Sequence, residues 1–355
     1  MDNIKILKKF WKGKKVFITG HTGFKGSWMC ILLNMLSSRI YGYSLKPKKI
    51  SLFNQANCKK FIKKSYYENI NDVKKLEKRI NDVKPDILFH LAAQPLVSQS
   101  FIDPLETFNT NIIGTINVLN SVRKNKSLKS VVIITTDKVY KIKKTNKYYS
   151  EKDELGGKDP YSASKVCAEI VTLSYINSFF KKTNIKNKIS TARSGNVIGG
   201  GDYSKNRLIP DVIKIINSKK FFELRNPNHI RPWQHVIEPM LGYLNLARSQ
   251  YQKKIIHINP NWNFGPNKKS FVKVIDIIKK IQKIKKIKVK IKTKQNFFET
   301  EVLKLDSKKA KKFLKWYPKW DLNKSISNVI EWNDLFRKSK NAKKICEDQI
   351  TNYLK

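Results

Sequence analysis

Short apolar runs alternate with helical stretches through the first half of the chain. Val16, Phe17 and Ile18 form an uncharged run that closes at Gly20, the pattern of a strand buried on both faces. From Trp28 to Leu36 the chain carries no charge, which predicts a helix packed on a sheet. RIYGYS (39–44) predicts a second strand. Val73, Leu76, Ile80 and Val83 recur at helical spacing, with Asn71 as the candidate cap and Pro85 as the stop. DILFHLAA (86–93), VVIITT (131–136) and STARSG (190–195) predict three further strands. Strands alternating with helices imply right-handed βαβ units. The expected fold is α/β: a doubly wound parallel Rossmann sheet with a smaller mixed α/β C-terminal lobe.

The pattern changes near residue 196. Gly199, Gly200 and Gly201 form a turn, after which helices, short strands and loops mix. The stretch KVIDIIKKIQKIKKIKVKIK (273–292) opens at helical spacing and then alternates Lys with Ile or Val, as a half-exposed strand does. The expected division is a dinucleotide-binding domain over 1–195, rejoined by about 232–265, and a substrate lobe over 196–231 and 266–355. No fixed-period repeat is visible.

Two local patterns carry chemistry. Thr19–Gly26 reads TGHTGFKG, with glycines at 20, 23 and 26 between a predicted strand and a predicted helix. Gly20 permits the tight turn, Gly23 a close backbone approach to a pyrophosphate, and Gly26 close helix–strand packing. The helix start then offers free N–H groups to the anion. A dinucleotide is expected here. NAD sites place an acid at the end of the second strand, but Ser44 stands at that place and Lys46 follows. NADP therefore stays open beside NAD. Asp72 is either a partner for the adenine amino group or an ordinary acid at a helix start.

The second pattern is DPYSASK, which places Tyr161 and Lys165 on one helix face behind Asp159 as cap and Pro160 in the first turn. A free tyrosine titrates near pH ~10. An adjacent ammonium and a positive nicotinamide both favour the phenolate, which then accepts a proton from a substrate hydroxyl as hydride leaves the same carbon. Thr136, Asp137 and Lys138 end a predicted parallel strand, where such sheets hold their ligands. Thr136 suits the same substrate oxygen. Asp137 and Lys138 add an acid/base pair beyond the needs of simple hydride transfer.

Composition narrows the class. Of 355 residues, 40% are hydrophobic, enough for a large core, so disorder is excluded as the overall state. Lys and Arg total 73 against 27 Asp and Glu, a formal charge of +46. The cations are mostly Lys spread along the chain, with no basic block, Cys/His finger or helix-turn-helix pattern. A solvated basic surface that attracts small anions is expected, and no nucleic-acid partner. A basic nucleic-acid-binding protein is the non-enzyme alternative. Cys30, Cys58, Cys167 and Cys346 form no CxxC pair, so no metal site is expected and the thiols suit a reducing compartment. The start has no signal-peptide run and no window suits a membrane span. A cytoplasmic location is expected. His21 reads as structural, His235 as packing near the pocket and Asn111 as a tie between strands.

The stretches TGHTGFKGSW, HLAAQPLV, DPLETFNTN, TTDKVY, LGGKDPYSASK, ARSGNVIGGGD and NPNHIRPWQHV resemble the extended short-chain dehydrogenase/reductase superfamily and, within it, the CDP-glucose 4,6-dehydratase family. The resemblance spans nearly the whole chain. It implies a hydro-lyase that oxidises C4 of CDP-glucose with NAD, eliminates water across C5 and C6, and returns the hydride to C6. The product, CDP-4-dehydro-6-deoxy-D-glucose, would feed deoxysugars of lipopolysaccharide O-antigen. Tyr161 would act as base, Lys165 would support it and Thr136 would orient the oxygen. A working split makes Asp137 the acid at the C6 hydroxyl and Lys138 the base at C5, although a close pair titrates as a unit. The implied cofactor contacts are Gly20, Thr22, Gly23, Phe24, Lys25, Gly26, Asp72, Val73, Leu91, Ala92, Ala93, Tyr161 and Lys165. Asn196 and Arg231 would hold the substrate diphosphate, with Arg207 and Gln94 beside them. Apolar helices near 105–122 and 161–180 suit a bundle between copies, in a homodimer or homotetramer. A different nucleotide-sugar 4,6-dehydratase, or a 4-epimerase needing no Asp137–Lys138 pair, is the alternative enzyme.

Overall fold

A computed structural model describes residues 3–143, 147–180, 188–216, 218–255, 258–291 and 302–355. The strands are β1 (Lys15–Thr19), β2 (Arg39–Ser44), β3 (Lys64–Tyr67), β4 (Ile87–His90), β5 (Ser130–Ile134), β6 (Ile189–Ser194), β7 (Asn196–Ile198), β8 (Phe221–Leu224), β9 (Ile230–His235), β10 (Asn261–Phe264), β11 (Phe271–Lys273) and β12 (Lys288–Ile291). Seven of them build one sheet in the order β10-β6-β5-β4-β1-β2-β3, with every pairing parallel. The strand order reverses between β1 and β4, the switch point at which doubly wound sheets open a crevice.

The helices are α1 (Asn3–Trp11), α2 (Phe24–Met35), α3 (Leu52–Gln55), α4 (Val73–Val83), α5 (Val97–Ile102), α6 (Pro104–Phe108), α7 (Gly114–Lys124), α8 (Pro160–Tyr175), α9 (Leu208–Ile215), α10 (Ile237–Tyr251), α11 (Val274–Gln282), α12 (Lys308–Leu314), α13 (Leu322–Ser339) and α14 (Ala342–Leu354). The two-residue period of β1 divides the core. Val16 and Ile18 pack with Trp28 and Leu32 of α2, Met240 and Leu244 of α10, and Ile350 of α14. Phe17, on the opposite face, packs with Leu76 and Ile80 of α4 and Val118 and Val122 of α7. A third apolar cluster joins Val212 of α9, Ile277 and Ile281 of α11, and Ile326 and Val329 of α13 around β7-β9-β11 and the parallel pair β8–β12.

The expected strands and the 73–83 helix are present, with one change at a helix start. Asp72, not Asn71, caps α4: its carboxylate accepts from the backbone N–H of Lys75 at 3.1 Å and pairs with the Lys75 ammonium at 2.9 Å. Between 273 and 291 the chain forms α11 and then β12, as the change of period implies; residue 292 lies outside the described residues.

One buried network fixes α8 against the sheet. Glu169, one turn beyond Lys165, accepts from Thr135 at 2.5 Å, Thr191 at 2.7 Å, and Arg193 through Nε at 2.9 Å and Nη2 at 2.8 Å. Burial works to raise the Glu169 carboxyl, yet Arg193 and the hydroxyls outweigh it and hold the group below the usual range. Such a bidentate, fully bonded pair explains how an arginine stands inside a buried strand. It also sets the height at which Tyr161 and Lys165 meet β5.

Candidate active site

The carboxyl ends of β1, β4, β5 and β6 deliver Gly20, Leu91, Thr135 and Ser194 to a cleft of about 1350 Å³. That exceeds a single drug-sized pocket, which holds roughly 300–1,000 Å³, and leaves space for two extended ligands. The glycine turn forms one wall. Gly20 has φ +74°, and a Cβ there would fall 2.6 Å from the Ala92 nitrogen. A Cβ on Gly26 would fall 2.2 Å from the Gly20 carbonyl oxygen. Gly23 is the cap of α2 and has no side chain to cover the first-turn N–H groups, which are left for a ligand anion. Thr22 Oγ1 shares a hydrogen bond of 2.8 Å with Ser44 Oγ and donates to the Leu45 carbonyl at 3.1 Å, tying the turn to the end of β2.

The opposite wall carries the acid/base groups. Thr136 Oγ1 donates to Asp137 Oδ1 at 3.0 Å, and Lys138 Nζ stands 3.7 Å from the same oxygen. Asp137 is fully buried, and its Oδ2 has no hydrogen-bond partner among the described residues. That leaves one buried carboxylate oxygen behind the cleft wall unpaired. Tyr161 is hydrogen-bonded with Thr136. Burial pushes the phenol up to about 12, against the pull of that bond and of Arg207. The sequence expectation of a lowered value is therefore not met by the protein's own groups. Lys165 directs its ammonium to the Ile134 carbonyl at 3.3 Å, and burial lowers it to about 8 despite Glu169.

The cleft collects Gly20, Thr22, Gly23, Phe24, Lys25, Gly26, Leu91, Ala92, Ala93, Thr136, Asp137, Lys138, Tyr161, Lys165, Asn196, Arg207 and Arg231. Arg207 pairs with Asp202 at 3.4 Å, while buried Arg231 bonds the Ile230 carbonyl and His229 Nδ1, both at 3.1 Å. Three named positions lie elsewhere. Asp72 is occupied as the α4 cap, with Val73 behind it, and Asn69 and Asn71 line the cleft instead. Gln94 spends its amide on Leu96 and Thr107. Asn111 ties the loop after β4 to α8 by bonding Gln94 and Ser164, so it links a loop to a helix rather than two strands. His21 is structural: its ring fills the space a Cβ on Gly42 would take, and burial lowers it to about 4. His235 packs edge-on between Trp28 and Trp320.

Sequence reasoning did not find Ser194, which accepts from Lys25 Nζ at 2.9 Å, nor the far wall of Phe222, Glu223, Arg225 and Trp233. Ser194 ended a predicted strand and was therefore findable. The far wall follows from no local spacing.

Residues 17–329 match the model of the GDP-mannose 4,6 dehydratase family. The chain belongs to that family. It stands in the nucleotide-sugar branch of the short-chain dehydrogenase/reductases. A relative with which it shares 38% identity, over 98% of both chains, is the CDP-glucose 4,6-dehydratase of Salmonella typhimurium. Among solved structures, the dTDP-glucose 4,6-dehydratase of Bacillus anthracis in complex with NAD superposes with a TM-score of 0.74 at 21% identity, covering 92% of this chain and 98% of that one. The UDP-glucuronic acid 4-epimerase of Bacillus cereus, in complex with UDP-glucuronic acid and NAD, gives 0.78 at 22% identity, covering 91% and 99%. These two likenesses establish the family's Rossmann fold with its C-terminal lobe.

Proposed function

We propose that the protein is an NAD-dependent CDP-glucose 4,6-dehydratase. The observation that carries this reading is one cleft that joins a phosphate-binding glycine turn to Thr136, Asp137, Lys138, Tyr161 and Lys165. The residues present fit NAD, because Gly20 and Gly26, where a Cβ would strike backbone, let the turn close tightly, and Gly23 leaves the first-turn N–H groups of α2 without a side-chain cap. Gly20, Thr22, Gly23, Phe24, Lys25 and Gly26 would hold the diphosphate end, and Leu91, Ala92 and Ala93 the opposite face. Ser44 and Lys46 leave NADP as the outcome that cofactor titration must distinguish. CDP as the nucleotide rests on the likeness to the Salmonella enzyme.

When bound, NAD⁺ supplies the hydride acceptor for C4 of the hexose, the donor for C6, and a positive ring that favours the Tyr161 phenolate. Tyr161 takes the C4 hydroxyl proton, and Thr136 holds that oxygen. Lys165 supports the phenolate through charge and position. In the reacting form of the pair the shared proton sits on Asp137 and Lys138 is a free amine. The amine removes the C5 proton that oxidation at C4 has acidified, and the Asp137 carboxylic acid protonates the departing C6 hydroxyl, which leaves as water. The two act as one coupled pair, 3.7 Å apart. Arg207, Arg231 and Asn196 hold the substrate diphosphate, a task suited to guanidinium forks.

The working form is a homodimer or homotetramer. Supporting this, Ile102 is 72% exposed and Leu105 69%, and Ile113, Ile170 and Phe179 are exposed on neighbouring helices. No described helix is long and apolar enough to cross a membrane. A cytoplasmic location is supported by the four free cysteines, which suit a reducing compartment. Purified protein given CDP-glucose and NAD⁺ should form a 4-keto-6-deoxy sugar, read by its alkali-induced absorbance. Equal turnover of dTDP-, UDP- or GDP-glucose would overturn the nucleotide assignment, and a C4 epimer as product would overturn the dehydratase assignment.

A further inference from the structure

Thr136 Oγ1 meets three groups just beyond the end of β5. It donates to Asp137 Oδ1 at 3.0 Å, accepts from the backbone N–H of Lys138 at 3.4 Å, and is hydrogen-bonded with Tyr161. A hydroxyl has one proton to give and two lone pairs. Its proton goes to the Asp137 carboxylate and one lone pair to Lys138, so the Tyr161 hydroxyl donates to the other lone pair. The chain Tyr161–Thr136–Asp137 therefore has one direction. Among the described residues, Thr136 is the side chain hydrogen-bonded to both of the others.

The dehydratase reaction leaves these groups out of balance. Oxidation at C4 breaks the hydroxyl O–H bond and puts its proton on the Tyr161 phenolate. Departure of the C6 hydroxyl as water takes the Asp137 proton. Lys138 takes the C5 proton and gives one back to C5 when the hydride arrives at C6. One turnover thus ends with Tyr161 a phenol and Asp137 a carboxylate, the reverse of the state in which each must start. We propose that Thr136 is a proton relay that recharges both groups between turnovers. The Tyr161 O–H bond breaks as the Thr136 oxygen takes that proton, and the original Thr136 O–H bond breaks as Asp137 takes the other. No proton is gained or lost overall, and the phenolate and the carboxylic acid are restored together. This role rests on the dehydratase reading of the site.

The surroundings favour this internal route. Asp137 is fully buried and Tyr161 nearly so, which keeps bulk water from both. Burial pushes the phenol up to about 12, with Thr136 and Arg207 pulling it down and Asp137 and Asp159 acting with burial. Passing the proton to Asp137 removes the carboxylate charge that opposes the phenolate, so the two anions never stand side by side. Lys138, 3.7 Å from Asp137, offers that carboxylate a second route to a proton, but this route leaves Tyr161 protonated.

The test is the product formed per site by holoenzyme preincubated with NAD⁺ and then mixed with CDP-glucose, for the wild type, Thr136→Val and Thr136→Ser. Valine is close to threonine in shape and removes the relay, while preincubation lets solvent charge the site slowly beforehand. Thr136→Val should complete one turnover per site and then run roughly 10²-fold slower. Imidazole or formate buffer should speed those later turnovers and leave the first unchanged. Thr136→Ser, which keeps the hydroxyl, should show neither effect. Equal slowing of first and later turnovers in Thr136→Val, or later turnovers indifferent to buffer, would reduce Thr136 to a positioning group and overturn the proposal. Should Thr136→Val fail to fold or to turn over, the wild type decides without sugar. Adding NAD⁺ should ionise Tyr161, read by tyrosinate absorbance, and raise the infrared band of a protonated carboxyl that Asp137→Asn lacks, with no proton released to an indicator dye. Release of a proton to the dye, or absence of that band, would overturn the proposal. A wild type that forms no 4-keto-6-deoxy sugar would instead refute the dehydratase reading itself.

Discussion

Lys138 Nζ lies 3.7 Å from Asp137 Oδ1, the lysine side chain 24% exposed and the aspartate side chain almost wholly covered. That arrangement sets an amine and a carboxyl group that can pass a proton between them side by side on the cleft wall. Replacing Lys138 with Ala should leave C4 oxidation possible and stop removal of the C5 proton. Turnover should fall by roughly 10²–10⁴. The reduced cofactor should then accumulate, and C5 should exchange no deuterium with solvent. Retained C5 exchange in this variant would refute Lys138 as the base.

Two glycines of the same turn should respond differently to alanine. A Cβ on Gly26 meets backbone at 2.2 Å, so Gly26→Ala must displace the turn and should lower both stability and NAD affinity. Gly23 has φ −74°, and its added Cβ meets only the Gly20 oxygen, at 3.4 Å. Gly23→Ala should keep its melting temperature and lose NAD affinity, because the methyl group enters the space of the diphosphate. Thermal melts beside cofactor titrations separate the two. Unchanged NAD affinity in Gly23→Ala would contradict the placement of the cofactor.

A second titrating site lies far from the cleft. Glu238 of α10 is fully buried and accepts from the backbone N–H groups of Lys319 at 3.0 Å and Trp320 at 2.8 Å, and from the Tyr353 hydroxyl of α14. Burial raises its carboxyl to about 7, above the ordinary value of 4.5. A raised carboxyl contributes stability that is complete below its unfolded value and is lost as pH climbs through the folded one. Glu238→Gln removes that titration. The stability of the wild type relative to the variant should fall by roughly 3 kcal/mol between pH 4.5 and 7 and then level off. Denaturant unfolding across this range measures it, and parallel curves would contradict the assignment.

What could be read from the chain follows physical range. The β1–turn–α2 unit, the α8 start and the Tyr161–Lys165 face are local patterns, and each is set by residues within a few positions of one another. The link between Lys25 and Ser194 joins residues 169 apart and leaves no local trace. Asp72 caps α4, one of the two roles that its place ahead of a helix allowed. Tyr161 shows the limit of motif reasoning: neighbouring charge pointed down, whereas burial, which spacing does not reveal, moves the phenol up to about 12. The buried Glu169–Arg193 pair was equally hidden, because nothing in STARSG marks its arginine as paired.

The central claim is an internal transfer: hydrogen leaves C4 of the hexose and returns to C6 of the same molecule. CDP-glucose carrying deuterium at C4 tests it most directly. The account predicts that the 6-deoxy product carries the label in its C6 methyl group, with no label in free cofactor. Product with an unlabelled methyl group, or label recovered in released NADH, would contradict it.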